Sequence, residues 1–99
     1  MRPRKNKKVS SDLKAKGFRT TPRGGKRQDH EYLHFYHGNI KTDIFTFVSH
    51  GTKMVSREIL KQMATQVHLE NNEFEQLLDC PISYQQYIEL MIEREYIDV

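Results

Sequence analysis

The sequence predicts an α+β domain: a three-stranded antiparallel sheet, helices on one face of it, and an added pair of C-terminal helices. Three observations carry this expectation. Residues 30–36 set Leu33 and Phe35 in alternation with the polar rings of Tyr32, His34 and Tyr36, and residues 40–48 are rich in β-branched and aromatic side chains, both marks of strands. After Ser56 the apolar spacing changes to a helical period. Two further helical stretches, opened near Asn72 and Ser83, fill the end of the chain.

Taken in order, residues 1–8 are a run of basic residues expected to be flexible. A short helix with Val9 and Leu13 as its apolar contacts ends at Gly17, because glycine takes positive φ without strain. Phe18 to Thr21 reads as a first strand, stopped by Pro22 and the Arg23-Gly24-Gly25-Lys26 loop. His30 to Tyr36 is the second strand, with Leu33 and Phe35 on one face and His30, Tyr32, His34 and Tyr36 on the other. His37-Gly38-Asn39 is a turn, and Ile40 to Val48 the third strand. Its buried face stays open, since Ile40 and Ile44 alternate with Phe45 and Phe47. Ser56 caps a helix whose stripe holds Ile59, Leu60, Met63 and Val67. Asn72 with Glu75, and Ser83 with Gln86, each resemble a capping box. Phe74, Leu77 and Leu78 face inward from the first of these helices. Tyr84, Tyr87, Ile88, Met91 and Ile92 do so from the second, and the tyrosines and Met63 and Met91 read as core. The organisation is a flexible basic start (1–8), a main domain (9–70) and a C-terminal helical extension packed on the same domain (71–99).

Ninety-nine residues make a single domain. One cysteine, Cys80, excludes an intrachain disulfide and reads as a small buried hydrophobe ahead of Pro81. No apolar run approaches the roughly 20 residues of a membrane span, and no apolar segment follows the basic start. The chain therefore reads as soluble and cytoplasmic. The net charge of +3 conceals an asymmetry: residues 1–30 hold eleven Lys/Arg against two acids, and residues 31–99 hold five against eleven. A +9 segment followed by a −6 segment suits a polyanionic partner such as RNA.

Three histidines, His30, His34 and His37, lie within eight residues. On a strand the first two share a face about 13 Å apart, and His37 points the other way. Zinc ligands must converge at about 2.0–2.1 Å from one ion, so the sequence argues against a metal, and no cofactor is expected. RNA chemistry asks less. The 2′-hydroxyl is the nucleophile, an imidazole with a pKa near about 6.5 can take its proton, and nearby cations can stabilise the charge on phosphorus. His30 directly follows the loop that carries Arg23, Lys26 and Arg27, so base and phosphate-binding cations would meet at one point. Tyr32 and His50, the latter in Ser49-His50-Gly51 after the third strand, are candidate substrate contacts.

These features resemble the HicA family of toxins from prokaryotic toxin–antitoxin pairs. The likeness rests on Lys16-Gly17-Phe18, the glycine-rich basic loop before a histidine-headed strand, Ser49-His50-Gly51, and Ile59-Leu60-Lys61-Gln62-Met63. It covers roughly residues 9–74. It implies a double-stranded-RNA-binding-domain-like α-β-β-β-α fold, metal-independent mRNA cleavage, and neutralisation by a HicB-type antitoxin. The family's essential histidine matches His30, and its histidine before the long helix matches His50. Where the family carries Gly-Ser before the first histidine, this chain has Gln28-Asp29; an aspartate there would either orient the imidazole or repel phosphate. The expected function is a HicA-like endoribonuclease with His30 as general base. The alternatives are an RNA-binding module of the same fold without chemistry, and a protein-interaction surface on the tyrosine-rich last helix.

Overall fold

In the computed structural model, residues 1–20, 30–49, 53–79 and 81–98 are described. The elements are β1 (Arg4–Lys5), α1 (Asn6–Ala15), β2 (Phe18–Thr20), β3 (His30–His37), β4 (Ile40–Ser49), β5 (Met54–Val55), α2 (Arg57–Gln66), α3 (Asn71–Leu78) and α4 (Tyr84–Glu93). β2, β3 and β4 form an antiparallel sheet in that spatial order, and β1 pairs with β5 in a second, two-stranded ribbon. This is a mixed α+β architecture with a three-stranded antiparallel sheet and four helices among the described residues.

Leu33 and Phe35 of β3 are buried, as the alternation requires, whereas Tyr32, His34 and Tyr36 on the other face are half-buried. The structure settles β4 in the same terms. Ile44, Thr46 and Val48 point inward, Phe45 and Phe47 outward. Ile40 does not belong to the buried set and is 70% exposed. A register irregularity between His34 and Tyr36 breaks the period of two near the hairpin. There Thr42 Oγ1 donates to Phe35 O at 2.7 Å. Thr46 is fully buried, and its hydroxyl donates to Gln66 Oε1 at 2.6 Å, so α2 supplies the partner that a buried hydroxyl needs.

The helices bring apolar stripes to the inner face. Val9 and Leu13 come from α1, Leu60, Met63, Ala64 and Val67 from α2, Phe74 and Leu77 from α3, and Tyr87 and Met91 from α4, all in one core. Each such side chain removed from water contributes about 2 kcal/mol. Tyr87 is the largest of them. Its ring meets Phe35 edge-on at 4.8 Å, and its hydroxyl donates to Val67 O at 2.8 Å. Burial pushes this phenol well above the usual tyrosine range.

Three local expectations change. Residues 4–8, expected to be flexible, form β1 and the start of α1. Charge alone argues for a solvated tail, but Arg4 finds Asp79 in a two-pronged pair at 2.7 and 2.9 Å. The Asn6 N–H also donates to Lys53 O at 2.9 Å. The stripe of α2 begins at Leu60, one residue after Ile59, which is 42% exposed. Helix α3 starts earlier than the Asn72–Glu75 pattern proposes: Glu70 is its N-cap, and Glu73 Oε1 accepts from the Glu70 N–H at 2.9 Å. Glu75 is then free of capping and faces Arg4 at 3.6 Å. The Ser83–Gln86 capping box does form, with Ser83 Oγ accepting at 3.1 Å and Gln86 Oε1 at 2.8 Å. Cys80 lies outside the described residues.

Tyr84 fixes the start of α4 to the sheet. Gly17 ends α1 with φ +97°, and a Cβ there would sit 2.4 Å from the Tyr84 ring. Tyr84 in turn donates from its hydroxyl to Tyr36 O at 3.1 Å and accepts from the Gly38 N–H at 2.9 Å. Gly17→Ala should therefore lose about 2–4 kcal/mol of stability in urea titration, from positive φ and from displacement of the ring. A loss under about 1 kcal/mol would show that Tyr84 moves aside freely.

Candidate nucleic-acid interface

The outer face of the sheet carries a band of rings in mutual contact. Register sets Tyr32 opposite Phe47 and His34 opposite Phe45. Ring centroids are 5.4 Å apart for Tyr32 and Phe47, 6.5 Å for Tyr32 and Phe45, and 5.2 Å for the stacked pair His34 and Phe45. Arg19 of β2, opposite His34, lies over the Tyr36 ring at 4.4 Å, a cation–π contact. Lys41 pairs with Tyr36 across the hairpin, and Asp43 is the exposed carboxylate between Lys41 and Phe45. Phe45 remains 38% exposed.

One end of the band is where the sequence places its chemistry. His30 opens β3 and pairs with Ser49, the last residue of β4. The chain carrying Arg23, Lys26 and Arg27 thus joins the sheet beside the position from which the chain leaves toward His50. The side chain of His30 lies outside the described residues, as do Arg23, Lys26, Arg27 and His50. Of the six candidate residues the structure describes the side chain of Tyr32, which sits in the ring band.

Glu31, next to His30, was not legible as a site residue. It points to the helix side of the sheet, opposite Val48. Ser10 donates to it at 2.6 Å, Thr20 at 2.8 Å, and Lys14 Nζ lies 3.0 Å away. Burial by itself would raise this carboxyl, but the hydrogen bonds from Ser10, Lys14 and Thr20 outweigh it. The group is held below the usual glutamate range. It stays ionised and pins the start of β3 to α1 and β2. No spacing rule announces this, because the partners lie 11 to 21 residues away.

A cleft of about 290 Å³ is lined by Arg2, Pro3, Arg4, Glu75 and Asp79. Its walls pair with one another, and it includes no residue of the sheet. Among the described residues no three His, Cys, Asp or Glu side chains are grouped to hold a metal ion. No helix among them is long and apolar enough to cross a membrane.

The Glu31 network predicts a pH dependence. A carboxyl with a lowered folded pKa contributes stability above its unfolded pKa and loses it as pH falls through the folded value. Glu31→Gln should cost about 1–2 kcal/mol at neutral pH in chemical denaturation. The gap from wild type should shrink once pH drops below about 4.3, the ordinary glutamate value. A gap that persists unchanged at lower pH would remove ionisation from the explanation. Comparisons with protein-family models, with curated proteins and with solved structures find no match for this chain.

Proposed function

We propose that the domain is a HicA-like RNA-binding protein and a metal-independent endoribonuclease, with His30 as general base and a HicB-type antitoxin as its neutralising partner. The fold belongs with this reading as a double-stranded-RNA-binding-domain-like α-β-β-β-α unit extended by α3 and α4. The observation that carries it is the His30–Ser49 pairing, which joins the basic loop and the Ser49-His50-Gly51 segment to the same end of the sheet. Tyr32 stands two residues along β3 from His30, roughly 7 Å away at strand rise. In the proposed reaction the imidazole takes the 2′-hydroxyl proton and the 2′-oxygen attacks the adjacent phosphorus. The 5′-oxygen leaves and takes up a proton from water, giving a 2′,3′-cyclic phosphate and a free 5′-hydroxyl. Arg23, Lys26 and Arg27 would hold phosphates, and Tyr32 and His50 would contact the substrate.

A non-catalytic RNA-binding module is the second reading. Gln28-Asp29 favours it, since a carboxylate before His30 would oppose an incoming phosphate.

Purified wild-type protein should cleave RNA in excess EDTA, with a rate that rises through the imidazole range. His30→Ala should lower that rate by about 100-fold or more while the circular dichroism spectrum is unchanged. Equal rates for the two proteins would take His30 out of the mechanism. RNA binding without cleavage by either would leave the binding module.

A further inference from the structure

On the outer face of the sheet, Phe47, Tyr32, Phe45 and His34 form an unbroken row in which each ring contacts the next. Phe45 is 38% exposed, and the other three rings are half-buried. The inner face of β4 already supplies Ile44, Thr46 and Val48 to the helices, so Phe45 and Phe47 add rings to the side that α1 and α2 do not cover. A contiguous apolar patch at the surface, unlike a single exposed side chain, marks an interaction site.

We infer that this row is a stacking platform for unpaired nucleotides, so that the domain takes RNA as a single strand. The inference rests on the RNA-binding reading above and names the form of the substrate. Every base has a π-face, and a base stacked on an aromatic side chain gains affinity whatever its identity. A duplex keeps those faces inside its own stack and offers its backbone and shallow groove instead. The charges fit the same occupant. Arg19 and Lys41 lie toward the hairpin end of the row, with Asp43 as the opposing carboxylate. A strand bound there would track cations at that end while its bases lie along Phe45, Tyr32 and Phe47. The row would lead it to the His30–Ser49 end of the sheet.

The test is fluorescence anisotropy with the full chain and a 2′-O-methylated oligonucleotide of about a dozen nucleotides, alone and annealed to its complement. The methyl group removes the nucleophile, so binding is read without cleavage. The single strand should bind about tenfold or more tightly than the duplex. Phe45→Ala should weaken single-strand binding by about five- to tenfold, with no matching loss on duplex, and Phe45→Trp should retain it. Phe45→Leu keeps apolar bulk without a π-face and should behave as Phe45→Ala does; full affinity in that variant would overturn stacking. Equal affinity for both forms of the oligonucleotide would overturn the inference and leave the nuclease reading intact. Strand preference without cleavage of ordinary RNA would do the reverse. Binding of neither form would overturn both and assign the ring row to a protein partner.

Discussion

The arrangement of this domain depends on the close approach of α4 to Gly17. Only a residue without a Cβ lets the Tyr84 ring lie against the chain where α1 turns into β2. From there the Tyr84 hydroxyl reaches Tyr36 O and the Gly38 N–H of the β3–β4 hairpin. One side chain thus ties the N-terminal helix, the sheet and the last helix together. A buried lysine reinforces the join: Lys16 Nζ donates to Leu77 O at 2.7 Å and to Ile82 O, satisfying carbonyls at the end of α3 and in the turn before α4. Carbonyls at a helix C-terminus have no partners within the helix, and a cation there also meets the negative end of its dipole.

With α4 held this way, all the helices serve one side of the sheet. Tyr87 packs against Phe35 and Phe18, and Met91 enters the same core. The C-terminal helices are therefore part of the support beneath β3 rather than an appendage. Arg94 extends the support by clamping Glu73 at 2.6 Å and His68 O at 3.1 Å, so the α2–α3 turn and the end of α4 hold each other. That guanidinium keeps the Glu73 carboxyl below its usual range. The consequence for function is a division of labour between faces. Packing fixes the inner face, and the outer face is left to rings and cations.

Electrostatics follows the same division. Several described cations of the basic first third, read from composition as a polyanion-binding segment, are paired within the fold. Arg4 is spent on Asp79 and Glu75, Lys8 on Asp12, Lys14 on Glu31 and Lys16 on backbone carbonyls. Arg19 is the cation of the described first segment that lies with the ring band. Net charge counts these residues equally, whereas their positions in the fold do not.

The α+β class, the three strands, the Gly17 stop, the Ser56 and Ser83 caps and the inward face of β3 were all legible in the sequence. Each depends on neighbours a few residues away, and local spacing records such neighbours directly. Tyr32 could be placed on the outer face by alternation alone. What local spacing could not decide was which face of β4 is buried, because Ile44 and Phe45 are equally apolar and only the packing of α1 and α2 distinguishes them. Nor could it show that the basic start is ordered, or that Glu31 is the hub joining α1, β2 and β3. Those outcomes come from contacts between residues far apart in the chain, such as Arg4 with Asp79 and Ser10 with Glu31. The sequence by itself determined the three main strands and the four helices; only the tertiary structure decided which rings meet, because meeting depends on register and packing.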